Sequence, residues 1–208
     1  MIKVIKLRKI VVFVIIFLTI FGILYYKNFL FGNNISKNRS DKRIEEILSS
    51  MNNYCAETSV TFSSNKTQNE YVIYQEVNGD YSMQEVKKGE NIEGLKIEQT
   101  GNNLKISNSK MNLEKVYENC DNFLNNAMFL NCFAEEYRNE ENQSSCSEEN
   151  GEIILEITLN SNQNTYIKYK KLYVDEKTLK PTKLEIKDNT KKETICINYN
   201  SVELKSAQ

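Results

Sequence analysis

Apolar and polar positions follow three rhythms along this chain. Ile10 to Tyr26, IVVFVIIFLTIFGILYY, is seventeen residues without a charge. As a helix it spans ~25 Å at about 1.5 Å per residue, close to the lower limit of a bilayer's hydrocarbon core. Lys3, Lys6, Arg8 and Lys9 precede it with no acid among them. The pattern predicts a signal-anchor helix over 10–32, with Ile10, Val14, Phe17, Phe21 and Leu24 in the bilayer. Residues 1–9 form a basic flank kept cytoplasmic, so the rest of the chain lies outside the membrane. Only Gly32 is small between Tyr25 and Asn34, so a cleavage site of the Ala-x-Ala kind is missing and the anchor is expected to stay. The first cysteine, Cys55, comes too late to carry a lipid.

A polar tether over 33–43 follows, and a single domain is expected over 44–208. Ile44, Ile47, Leu48 and Met51 recur at helical spacing from Lys42 to about Asn53. From Cys55 the period falls to two. Strands are predicted at Thr58–Phe62, Glu70–Val77, Tyr81–Val86, Leu95–Gln99 and Leu104–Ser107, with tight turns at Asn78-Gly79-Asp80 and Thr100-Gly101-Asn102-Asn103. Residues 112–140 return to a helical pattern through Val116, Tyr117, Phe123, Leu124, Met128, Leu130, Phe133 and Tyr137. The acidic stretch 139–150 reads as a loop. Strands resume at Glu152–Leu159, Tyr166–Val174, Thr182–Lys187 and Glu193–Tyr199. The fold class is α+β: a curved antiparallel sheet whose concave face is covered by helices, preceded by one transmembrane helix.

Composition narrows the chemistry. The 208 residues carry 27 Lys+Arg against 28 Asp+Glu, a formal charge of −1, which gives no electrostatic reason to expect nucleic acid. Histidine and tryptophan are absent. The lack of His removes Ser-His-Asp and Cys-His nucleophilic pairs and His-ligated zinc. Glu135, Glu136 and Glu140 are the nearest thing to a carboxylate cluster, and their acidic surroundings read as a solvated helix end. No enzyme activity and no cofactor are expected. Cys55, Cys120, Cys132, Cys146 and Cys196 form no C-x-x-C pair and allow no disulfide assignment, although Cys132 and Cys146 flank one predicted helix end.

Tyr81-Ser82-Met83-Gln84-Glu85-Val86, then Gly94-Leu95-Lys96-Ile97, then Gly101-Asn102-Asn103-Leu104 resembles the central repeat of LolA-type lipoprotein carriers. Leu172 to Ile186, with Asp175-Glu176-Lys177-Thr178-Leu179-Lys180-Pro181 at its centre, resembles the same superfamily's strand, D-x-x-T-x-x-P, strand unit. The resemblance covers about 44–204. Within that superfamily the length, the Lys/Asn/Ile-rich composition and the membrane-targeting N-terminus are similar to its GerS-like spore-germination branch. That resemblance implies a half-barrel sheet, an extracytoplasmic place in sporulation, and a cortex amidase of the CwlD type as partner. The chain departs from the lipoprotein form of the branch, because an anchor helix stands where a lipid would.

Two surfaces compete for a binding role. Tyr71, Tyr74, Tyr166, Tyr169 and Tyr173 lie on predicted strands and could anchor a protein partner, since Tyr is enriched at interfaces. Phe62, Val72, Leu95, Ile97, Phe123, Met128, Phe129 and Ile154 could instead line an apolar cavity for a lipid between sheet and helices. Lys168-Tyr169-Lys170-Lys171 reads as edge-strand lysines that discourage aggregation. Open strand edges also leave a strand-paired homodimer open.

Overall fold

Period-two alternation, broken by short turns, builds a sheet when each strand has one apolar face to bury. The computed structural model describes residues 42–120, 127–160 and 165–205. The expected anchor with Ile10, Val14, Phe17, Phe21 and Leu24, most of the tether, and Phe123 lie outside the described residues. No described helix is long and apolar enough to cross a membrane.

The strands are β1 (Asn53–Ser63), β2 (Gln68–Asn78), β3 (Tyr81–Lys88), β4 (Leu95–Thr100), β5 (Asn103–Asn108), β6 (Leu113–Tyr117), β7 (Gln143–Glu149), β8 (Glu152–Thr158), β9 (Tyr169–Asp175), β10 (Pro181–Lys187) and β11 (Glu193–Leu204). Residues 42–50 are helical (α1), and α2 covers Leu130–Arg138. The chain divides at Glu46/Ile47, and the whole sheet lies in the second unit. It is one open, curved antiparallel sheet in the order β6-β5-β4-β3-β2-β1-β11-β10-β9-β8-β7. Two meanders thus meet where the first strand pairs with the last, Tyr54 opposite Leu204 through Phe62 opposite Ile195.

Register separates the two faces. On one, Tyr54, Ala56, Thr58 and Val60 stand beside Ile73, Gln75 and Val77 of β2 and Ile197 and Val202 of β11. Leu184, Ile186, Leu172, Val174, Ile153, Leu155 and Ile157 continue that face, and all of these are buried. Helix α2 lies on it with Leu130, Cys132, Phe133 and Ala134 buried. The first residue of α2 has no side-chain cap of its own. Tyr54 Oη takes that role, accepting from Leu130 N (3.2 Å) and donating to Gln75 Oε1 (3.2 Å). Arg138 Nη2 donates to Ser49 Oγ, tying α2 to the end of α1, where Ile47 and Leu48 are buried.

Two elements differ from expectation. Leu113–Tyr117 is a strand, not the start of a helix. Asn108 Oδ1 accepts from Lys110 N and Met111 N, Asn112 takes φ 49, and this tight turn sends the chain back along β5. The acidic loop expected at 139–150 contains β7, all seven of whose residues are exposed. An edge strand with both faces in water shows no apolar alternation, so periodicity could not find it. The hairpin signal was nonetheless present: Asn150 (φ 54) and Gly151 (φ 81) form the two-residue turn of two positive-φ positions that favours Asn-Gly. All five cysteines are free thiols, Cys132 and Cys196 buried.

The open face of the sheet as candidate functional site

On the face away from α2, β9 and β10 place long polar side chains side by side. Tyr169, Lys171 and Tyr173 alternate along β9, and Lys183, Glu185 and Lys187 along β10, with Lys171 opposite Glu185 and Tyr173 opposite Lys183. Glu185 is the hub of this cluster and is only 8% exposed. Its carboxylate meets Lys183 Nζ at 2.5 Å and Lys187 Nζ at 3.1 Å, and accepts from Tyr173 Oη at 3.4 Å. Burial pushes this carboxyl up, but the hydrogen bonds from Lys183 and Lys187 outweigh it, so the group sits below the usual carboxylate range.

Tyr173 is clamped from both sides. Lys171 Nζ lies 5.4 Å and Lys183 Nζ 5.5 Å from its ring centroid, within cation–π range. Burial and then the Glu185 charge raise the Tyr173 hydroxyl's pKa, which keeps it a hydrogen-bond donor at neutral pH. Lys171 also pairs with Glu156 of β8 at 3.1 Å, and Lys191 Nζ lies 5.7 Å from the Tyr169 centroid. A hollow of about 550 Å³ opens at the Tyr169 end of this face.

The first meander repeats the device. Lys87 Nζ lies 5.6 Å from the Tyr74 ring and pairs with Glu85 at 2.8 Å. Burial, followed by the Cys55 and Glu76 charges, pushes the Tyr74 hydroxyl up to about 12. Tyr81 Oη and Lys96 Nζ both donate to Glu98. A second hollow, about 590 Å³, lies where β1 and β2 meet the turn after β3, beside Glu70 and Lys88.

The five predicted tyrosines therefore do not form one surface. Tyr169 and Tyr173 share the open face of β9, and Tyr74 shares that face on β2. Tyr71 lies on the other face, edge-to-face with Phe62 at 5.7 Å, and Tyr166 sits in the loop before β9, 72% exposed. The predicted cavity residues divide in the same way. Phe62, Leu95 and Ile97 belong to the helix-bearing face, and Met128 and Phe129 lie in the approach to α2. Val72 and Ile154 point away from the helices, because each pairs with a residue of the open face, Ser59 and Tyr173 respectively. They do not line a space between sheet and helices.

Lys170 corrects the edge-lysine reading. Strand β9 is interior, and Lys170 is 1% exposed, its ammonium 2.5 Å from Glu136 of α2 and 3.4 Å from the Ala127 carbonyl. Glu136 is accordingly a pairing group against the sheet, not part of a solvated helix end. The residues passed over by sequence reasoning are Lys183, Glu185 and Lys187. Their signal was charge alternating with apolar Leu184 and Ile186 along a predicted strand, which puts all three on one face. Among the described residues no group of three or more acidic or thiol side chains is placed to hold a metal ion.

The profile of the sporulation protein YdcC-like family matches residues 7–206. No curated protein matches the chain. Among solved structures, a chain in the structure of the CwlD amidase from Clostridioides difficile in complex with the GerS lipoprotein is 25% identical. That match covers 81% of this chain and 96% of the other, with a TM-score of 0.49. An uncharacterized conserved protein from Thermus thermophilus is 11% identical over 83% of this chain and 90% of its own, TM-score 0.48. A LolA superfamily protein from Nitrosomonas europaea is 11% identical over 79% and 94%, TM-score 0.38.

Proposed function

Because this chain belongs to the YdcC-like family of sporulation proteins, we propose that it is a membrane-anchored, non-catalytic binding protein whose open sheet face docks a cortex amidase. The partner is an N-acetylmuramoyl-L-alanine amidase of the CwlD type, the class implied by the resemblance of the chain's length, Lys/Asn/Ile-rich composition and membrane-targeting N-terminus to the spore-germination branch of the LolA-like superfamily. The helix over 10–32 holds the protein in the cell or forespore membrane, N-terminus inside and domain outside.

The observation that carries the docking surface is Tyr173 held between Lys171 and Lys183 over Glu185. A ring already fixed by its neighbours loses little side-chain entropy when a partner covers it, so more of its contact energy becomes affinity. Tyr74, braced by Lys87, extends the same face.

The test is co-purification of full-length protein from sporulating cells. The amidase is recovered with the wild type, and Tyr173→Ala weakens the pair about 30-fold, the effect of a ~2 kcal/mol anchor. Recovery of bound lipid without any amidase sinks this reading and favours a local lipid carrier. That second reading draws on one observation: Leu95, Ile97, Ile106 and Leu113 on the helix-bearing face are only half-buried.

A further inference from the structure

The hollow at the Tyr169 end of the open face is built differently from a protein-docking surface. Gln143, Ser145 and Thr158 line one side of it and Tyr169, Lys187 and Lys191 the other. Three of its four lysines are already matched, Lys170 with Glu136, Lys171 with Glu156, and Lys187 with the Glu185 that Lys183 shares. Lys191 has no ion-pair partner among the described residues, and its ammonium sits above the Tyr169 ring.

Its backbone is also held in an unfavourable place. Lys191 has φ 67, a left-handed conformation that suits Gly or Asn better than Lys. Asp188 enforces it, its Oδ1 accepting from Thr190 N (2.8 Å), Thr190 Oγ1 (2.7 Å) and Lys192 N (2.9 Å). The same Asp clamp and left-handed residue recur at Asp175 and Leu179 in the β9–β10 turn, so this conformation belongs to the hairpin turn. What singles out Lys191 is its ammonium over the Tyr169 ring, unpaired among the described residues.

We propose that this hollow binds a carboxylate-bearing glycan strand. A sugar ring lies on the exposed part of Tyr169, its hydroxyls meet Gln143, Ser145 and Thr158, and its carboxylate takes the Lys191 ammonium. Other polymers fit less well. Lys171, Lys187 and Lys191, with Lys183 sharing Glu185, stand against only Glu156 and Glu185 and leave two uncompensated positive charges, fewer than the several a phosphate polymer needs. Among the described residues, none of the exposed large apolar side chains, Met111, Val116, Tyr117 and Tyr166, lines the hollow, which gives a lipid surface no apolar anchor among them. The choice of glycan rests on the function proposed above: it is the backbone of the polymer that the docked amidase acts on, so the protein presents substrate to its partner.

The test titrates full-length protein with peptidoglycan glycan strands stripped of their stem peptides, which keep the lactyl carboxylate. Lys191→Gly is the decisive variant. Glycine relaxes the positive φ, so thermal stability holds or rises while the ammonium is lost. Affinity is expected to fall about tenfold in Lys191→Gly and in Tyr169→Leu, and equally when the strands' carboxyls are reduced to alcohols. No binding by the wild type, or equal binding by both variants, overturns the proposal. So does glycerol phosphate binding lost in Lys191→Gly without strand binding, which assigns the hollow to a lipid headgroup. Amidase recovery is measured in parallel. If strands bind but no amidase is recovered, docking fails and this site stands; if amidase is recovered but strands do not bind, only this site fails.

Discussion

Glu185 shows how much one carboxylate organises at the scale of a residue. Its pKa is lowered on folding, so its contribution to stability is complete above the ordinary carboxylate range and is lost as pH falls through its depressed folded value. Lys183 is raised, chiefly by its hydrogen bond to Glu185, so its share is lost only above the ordinary lysine range. Glu185→Gln is therefore expected to lower stability by about 1 kcal/mol near neutral pH. It also flattens the acid branch of urea midpoints measured between about pH 7 and pH 3. An unchanged acid branch would show that the carboxylate titrates alike in both states. Lys170 and Glu136 make an asymmetric pair, with side-chain exposures of 0% and 29%. Removing the acid strands a fully buried ammonium, whereas removing the lysine leaves a carboxylate on a side chain that is part-exposed, though its paired oxygen is buried. Glu136→Ala should cost about 3 kcal/mol and Lys170→Met clearly less, read from denaturant midpoints. The alternation Tyr169/Lys170/Lys171 puts Lys170 opposite the tyrosines, and that much is legible in the sequence. That Glu136 waits there depends on where α2 docks, and periodicity carries no such information.

At the scale of elements, α2 depends on a side chain from the sheet. Tyr54 Oη serves both the Leu130 amide and Gln75, and burial drives its pKa upward, keeping it a neutral donor. Tyr54→Phe leaves both partners buried and unpaired, an expected loss of about 2 kcal/mol with weakened protection of α2 amides in hydrogen exchange. The β7–β8 hairpin depends on its turn. A Cβ on Gly151 would meet nothing within 4 Å, so Gly151→Ala carries only the strain of φ 81, about 1 kcal/mol in a urea midpoint. Gly89→Ala should cost more, since its Cβ would fall 2.2 Å from Tyr71 Cδ1. The Gly79 and Gly101 turns are readable because glycine at a positive φ leaves a sequence mark. Strands β6 and β7 are not readable from periodicity, because edge strands in water need no apolar face.

For the whole sheet, the pairing of β1 with β11 is decisive, since it joins two meanders that are each local in sequence. Amide protection should fall outward from β1, β2, β11 and β10 to the edges β6 and β7, and a truncation before β11 should abolish cooperative unfolding instead of fraying one strand. Protection highest at an edge would contradict this order.

Nine of the eleven strands, the glycine turns and the alternation that separates the two faces were determined by the sequence, because they arise from interactions among near neighbours in the chain. The LolA-like resemblance was legible for the same reason, since it rests on short turn-and-strand motifs; the spore-protein branch was read from length, composition and the N-terminal segment, and the family match over 7–206 agrees with it. The candidate site was only half legible. Tyr169 and Tyr173 could be placed on one face, but whether Tyr71 joined them depended on pairing through β1, β11 and β10, with bulges on the way. The convergence of Lys183, Glu185 and Lys187 with Tyr173, and the burial of Lys170 under α2, required strand order and helix docking. Both are set by contacts between residues far apart in sequence, and only the tertiary structure decides them.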